Sequence, residues 1–239
     1  MTVDAPVEAL LAGQAAIRRE AAGVLAVADQ LGETFLRAVD LLADCTGKVF
    51  VSGSGTSGSV ARRMAHLLSV CGTPALYMSP MDALHGSMGA IVAGDVLIAI
   101  SHGGETAELS DLAERVRRRD VPIVVLTSAP ESTLGRLADL AVVLADDERV
   151  DPGGVIAMGS TLAVSVWGDA LAYVLMRRRG YGWDQVLETH PAGAVGKITE
   201  LPAALPGLVA SDDASDDASD DASDDASDDA SDDADVAGS

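Results

Sequence analysis

The sequence predicts an α/β three-layer sandwich, a five-stranded parallel sheet with helices on both faces. Three observations carry that expectation. Five short apolar runs, at 49–52, 75–78, 95–101, 122–127 and 140–144, recur at intervals through the middle of the chain. They are continuously apolar rather than alternating, as strands covered on both faces must be. Segments with helical spacing separate them and supply the crossovers that parallel strands need.

In chain order, residues 5–44 come first, with apolar positions at helical spacing (Leu10, Ile17, Val24, Leu31, Phe35, Val39) and a break near Gly32. One or two amphipathic helices therefore precede the sheet. A helix is predicted over 57–71 after the first strand, another over 106–119 after the third, and a short one near 133–137 after the fourth. A loop over 145–157 leads from the fifth strand to a long apolar helix ending at Arg179, followed by a last ordered segment near 183–197. Residues 155–176 are long enough to test as a membrane span. They contain Asp169 and several Gly, Ser and Thr residues, and Arg177, Arg178 and Arg179 follow. A central acid is costly in lipid, so this stretch reads as a buried helix shared with a partner subunit, and no membrane is expected.

With 239 residues, 48% of them hydrophobic, one full core is the default. The folded domain is assigned to 1–204. Residues 205–239 form an acidic tail built on six copies of Ser-Asp-Asp-Ala. That tail supplies −13 of the net charge of −21, leaving −8 for residues 1–210. A segment so poor in apolar surface and so self-repelling is expected to be disordered and solubilising. Calcium chelation or docking to a basic partner is the alternative expectation for it. A mildly acidic folded part excludes nonspecific nucleic-acid binding. Cys45 and Cys71 have no metal spacing and make no disulfide framework. The first eight residues carry no basic leader, so a cytoplasmic location is expected. Four histidines without ligand spacing give no metal site, and no cofactor is expected.

Two turns stand out. Lys48-Val-Phe-Val-Ser-Gly-Ser-Gly-Thr-Ser-Gly58 and Asp95-Val-Leu-Ile-Ala-Ile-Ser-His-Gly-Gly-Glu-Thr106 each run from strand to small-residue turn to helix start. Such turns aim backbone N–H groups and hydroxyls at one spot, with a helix dipole behind. A phosphate is the matching ligand. The first turn also satisfies the G-x-G-x-x-G dinucleotide pattern, but that reading needs an acid at the end of the next strand. Ser79 and Pro80 follow there, with Asp82 only beyond the proline, and a dinucleotide does not call for the second turn.

The chain resembles the sugar isomerase (SIS) domain family, and within it the arabinose-5-phosphate isomerase branch. The resemblance rests on Gly53-Ser-Gly-Thr-Ser-Gly58, Ala83-Leu-His-Gly86, Ile100-Ser-His-Gly-Gly-Glu-Thr-Ala-Glu108, Gly168-Asp-Ala-Leu-Ala172 and Thr189-His-Pro-Ala-Gly-Ala-Val-Gly196, in family order over about residues 30–200. Where bacterial relatives often append paired CBS modules, this sequence continues into the acidic repeat. The resemblance implies a flavodoxin-like five-stranded sheet and a homo-oligomer, often a tetramer, in which the histidine of the His-Pro segment enters a neighbour's site. It places phosphate binding on the hydroxyls of Ser52, Ser54, Thr56 and Ser57 in the first turn and of Ser101 and Thr106 in the second, with Gly55, His102, Gly103 and Gly104 also expected at the substrate.

Aldose–ketose isomerisation moves a proton between two carbons through an enediol and needs a base, a ring-opening group and oxyanion donors. By resemblance Glu105 is a functional position, and the following helix start favours its ionised form. His190 can pass a proton near neutrality, and His85 borders the sugar. A second glutamate is expected in the 145–154 loop. Counting back from Gly168 aligns Arg149 with it, so the adjacent Glu148 is the candidate. Two departures bear on substrate. Thr56 stands where the branch carries a lysine, and Gly103 where it carries a serine, with Lys197 a compensating cation. The sequence therefore predicts a phosphosugar isomerase. A non-catalytic phosphosugar sensor on the same fold is the alternative, and other SIS chemistries such as amino-sugar isomerisation or etherase action stay open.

Overall fold

The computed structural model describes residues 5–145, 150–206 and 208. Two helices, α1 (Ala5–Ala28) and α2 (Glu33–Ala43), precede the sheet, with the break at Gly32. The alternating part follows as β1 (Val49–Gly53), α3 (Gly55–Val70), β2 (Ala75–Tyr77), α4 (Pro80–Leu84), β3 (Val96–Ile100), α5 (Ala107–Arg117), β4 (Ile123–Thr127) and β5 (Leu140–Val143). Then come α6 (Gly159–Arg178) and α7 (Trp183–Thr189). All five strands are parallel, in the order β2-β1-β3-β4-β5.

Residue alternation on the central strands builds two cores. Val49, Val51, Ile98, Ile100, Val124 and Leu126 face the layer made by α2, α3 and α6. Phe50, Leu97, Ala99, Ile123 and Val125 face Ala83 of α4 and the Leu109, Leu112, Ala113 and Val116 stripe of α5. Every residue of β1, β3 and β4 is buried, which is why these runs show no polar alternation. Fully burying each leucine of the α5 stripe contributes about 1.5–3 kcal/mol. The outer face of α5 carries Asp111–Arg115 and Glu114–Arg118 pairs at helical spacing, each contributing about 0.2–0.5 kcal/mol.

α6 is the one helix among the described residues long and apolar enough to cross a membrane. Its apolarity serves the core instead: Trp167, Leu171 and Leu175 are buried, and Trp167 meets Phe35 of α2 edge-on at 5.7 Å. Asp169 is met by Arg63 of α3 in a two-pronged ion pair at 2.6 and 2.8 Å.

Three expectations change in detail. The helix expected near 133–137 is a single 3-10 turn, Gly135–Leu137. The 145–157 loop contains a 3-10 turn at Pro152–Gly154. The sequence reading has no counterpart for α4, although Ser79 accepts from the Asp82 N–H at 3.3 Å and Pro80 opens the helix, both ordinary start signals. Five residues are too few for periodicity to register. After α7, the Arg177 guanidinium donates to Pro206 O and the Trp183 indole to Ala203 O, holding 201–206 against the domain. The Ser-Asp-Asp-Ala repeats lie outside the described residues.

Candidate functional site

The strand order reverses between β1 and β3, and ligands in open parallel sheets gather beyond the carboxyl ends of strands at such a switch point. Both Gly/Ser turns sit there, because one follows β1 and the other β3. In the first turn the chain doubles back tightly: a Cβ on Gly58 would lie 2.7 Å from Gly53 O. Only a residue without a side chain lets α3 start this close to the strand.

The hydroxyls of the first turn divide into committed and presented groups. Ser52 is fully buried and donates to Met78 O at 2.7 Å, so it ties β1 to the end of β2. Residues of β1 point alternately into the two cores, and Ser52, expected in phosphate binding, points inward with its hydroxyl proton engaged. Ser54 donates to Glu108 Oε1 of α5 at 2.7 Å and makes no capping bond to its own helix. That bond holds the Glu108 carboxyl below the ordinary glutamate range and links the two turns. Gly55 and Thr56 are exposed and Ser57 is half-buried.

The second turn is organised around Gly104, whose φ of +66° is left-handed. Ser101, nearly buried, shares a 3.1 Å hydrogen bond with Thr106 and accepts from the Gly104 N–H at 3.2 Å. Thr106 occupies the N-cap position of α5 but makes no capping bond. The first N–H groups of α3 and α5 thus lack side-chain caps, the arrangement that suits an anion. His102 and Gly103 are exposed, and a Cβ on Gly103 would meet nothing within 4 Å. Glu105 is exposed, and both its oxygens accept from Thr133: the N–H at 2.9 Å and the hydroxyl at 2.7 Å. Those bonds, the backbone one first, hold its carboxyl below the ordinary range, and Arg136 adds to the effect.

A cleft open to solvent joins the two turns. Ser57 and Val60 of α3 line one side and His102 the other, over Ile100 and Leu126. Thr127 and Ser128 at the end of β4, and Ser160 and Thr161 at the start of α6, complete its polar wall. Asp151 fixes that start. Its carboxylate accepts from the Met158 N–H at 2.8 Å, the Ser160 N–H at 3.1 Å and the Ser160 hydroxyl at 2.5 Å. Burial pushes its pKa up most, yet these donors and the charge of His102 together bring it below the usual aspartate value.

Of the expected residues, the cleft therefore brings together Ser57 and His102, with Ser101 and Thr106 just beneath. His85 is exposed at the end of α4, and neither it, Glu105, His190 nor Lys197 is among the cleft-lining residues. His190 ends α7, half-buried, with Nδ1 3.0 Å from Val186 O. A carbonyl only accepts, so Nδ1 carries the proton and Nε2 is the ring atom able to take one. Lys197 is exposed at the end of a 3-10 turn. Glu148 lies outside the described residues. Sequence reasoning missed Thr127, Ser128, Ser160, Thr161, Asp151 and Thr133. Ser160 and Thr161, hydroxyls opening a long apolar helix, carried a usable signal. Asp151 carried none, because Pro152, Gly153 and Gly154 separate it from the helix it caps. Among the described residues no cluster of three or more His, Cys, Asp or Glu could hold a metal.

Comparison with known proteins places this geometry among relatives. The SIS domain family model matches residues 41–173. Arabinose 5-phosphate isomerase KdsD of Salmonella typhi is 35% identical over 186 residues, 78% of this chain and 57% of that protein. The chain thus spans little more than half the length of the curated relatives it matches. The E. coli CFT073 protein c3406, solved in complex with A5P, superposes with a TM-score of 0.74 at 28% identity, covering 80% of this chain and 100% of its own. The Vibrio vulnificus NanR protein complexed with ManNAc-6P gives 0.64 at 26% identity, covering 74% and 66%.

Proposed function

Because this chain belongs to the SIS domain family, we propose that its cleft binds a sugar phosphate and interconverts the aldose and ketose forms. The observation that carries this is the meeting of the two turns at one cleft, each followed by a helix whose first N–H groups have no side-chain cap. The phosphate would lie on those N–H groups and on the hydroxyls of Thr56 and Ser57, with Ser101 and Thr106 shaping the other side. The hydroxyls of Thr127, Ser128, Ser160 and Thr161 already donate within the protein, to His102 O, Asp151 and Met158 O, so toward a sugar they would act as acceptors. Relatives named as arabinose 5-phosphate isomerases, and a neighbour holding A5P, support this class of substrate.

Glu105 or Glu148 would take the proton that moves between C1 and C2, and His190 Nε2 would serve ring opening as acid and base. His190 does not line its own chain's cleft, which suits the family expectation that it acts in a neighbouring subunit. An oligomer is also supported by apolar side chains on the outer face of α1: Leu10 is 61% exposed, Ile17 67% and Leu25 73%. Both cysteines are free and burial pushes their pKa values up, which suits a reducing cytoplasm.

The test is turnover by the purified full chain of a panel of pentose 5-phosphates and hexose 6-phosphates, read as aldose–ketose exchange. Exchange with at least one sugar is expected, and none across the panel refutes the enzyme. One observation favours the sensor as a second reading: no lysine or arginine lines the described cleft. Thermal stabilisation by a sugar phosphate without turnover would select it.

A further inference from the structure

The second turn is held from outside by the connection between β4 and β5. Leu134 N–H donates to Gly104 O at 3.0 Å. Ser128 N–H and Oγ and Thr127 Oγ1 all donate to His102 O, at 3.0, 3.0 and 2.8 Å. Ser132 fills the space a Cβ on Gly104 would need. Most of these contacts hold backbone. Thr133 differs, because its N–H and its hydroxyl grip the two oxygens of one side chain, Glu105.

That grip has no other evident purpose on the surface. Glu105 and Thr133 are both exposed, and an unheld glutamate there would turn freely in water. Clamped, it bridges the residue before Thr106 to the loop after β4, closing a short ring around Gly104. We propose that Thr133 is a positioning residue: by clamping Glu105 it fixes the second turn, and with it the Ser101–Thr106 hydroxyl pair that shapes the anion site. The proposal rests on the sugar-phosphate reading above. Around the carboxylate, Thr133 supplies both donors, and Arg136 of the following 3-10 turn adds a favourable charge. The readouts are turn mobility and anion binding, so the test stands whether Glu105 or Glu148 takes the proton.

The test uses the full chain and two readouts: hydrogen–deuterium exchange of the peptide spanning 101–107, and titration with inorganic phosphate. Thr133→Val keeps the backbone donor but loses the hydroxyl, and an exposed threonine tolerates it without unfolding. It should speed exchange in that peptide and raise the phosphate Kd, each about tenfold, the scale of one hydrogen bond to a charged acceptor. Thr133→Ser should return both to within about twofold of the original chain, and adding Glu105→Ala to Thr133→Val should add little. Unchanged exchange in Thr133→Val, or no rescue by serine, overturns the proposal. Faster exchange with unaltered phosphate affinity upholds the clamp and refutes the assignment of this turn to the anion.

Discussion

Gly103 and Gly104 are neighbours in one turn, and the structure assigns them opposite tolerance. Gly103 has an ordinary φ and open space where a Cβ would project. Gly104 has φ +66°, and its Cβ would lie 2.5 Å from Ser132 Cβ and closer still to the hydroxyl. Alanine in the left-handed region costs about 1–2 kcal/mol, and overpacking a filled site costs about 1–3 kcal/mol more. Ser132 has little freedom to retreat, because its hydroxyl accepts from the Gly135 N–H at 3.1 Å. Gly104→Ala should therefore lose about 3 kcal/mol, a fall in Tm of roughly 6–12 °C for a domain of this size. Gly103→Ala should stay within about 1 kcal/mol of the original, because its Cβ meets open space and alanine stiffens the unfolded chain. The assay is thermal and urea unfolding of both variants. A Ser132→Gly background separates the two costs, since it should relieve the overpacking and leave the backbone cost. Equal shifts for Gly103→Ala and Gly104→Ala would refute the turn geometry on which the site depends.

Three further outcomes are expected. Gly103→Ser fits without strain and adds a hydroxyl beside the proposed anion site, so calorimetry should show inorganic phosphate binding about fivefold tighter, one hydrogen bond's worth; no gain would mean the anion does not reach this position. Asp151→Ala removes the acceptor at the start of α6 and should cost about 1–2 kcal/mol near pH 7. The folded Asp151 pKa is depressed, so its stabilisation is full above the ordinary aspartate value near 3.9 and fades as pH falls through the lower folded value. Wild-type and variant melting curves should converge in strong acid, and a gap that persists there would refute the charge-based cap. His190→Ala should lower kcat by roughly 10²- to 10⁴-fold with phosphate affinity unchanged, and a loss below tenfold would remove His190 from proton transfer.

Much of this architecture was legible because it is written in local terms. Continuous apolar runs reported the strands, each falling on an observed strand within a residue or two; β1, β3 and β4 are buried on both faces, while the edge strands β2 and β5 expose Leu76 and Val143. Gly/Ser turns after the first and third of them located the rim where the cleft opens. α4 escaped because a five-residue helix has too few turns to show a period.

The site divides along the same line. The sequence by itself determined which residue types stand at the two turns, and that hydroxyls and helix starts face one rim, because these follow from chain direction and turn chemistry. Only the tertiary structure decided what each group is free to do. Ser52 is spent on Met78, Ser54 on Glu108 and Glu105 on Thr133, partners that lie 26, 54 and 28 residues away. No local pattern encodes such pairings. They exist because parallel crossovers bring the ends of distant strands together at one edge of the sheet, where a hydroxyl or carboxylate takes the nearest partner in space.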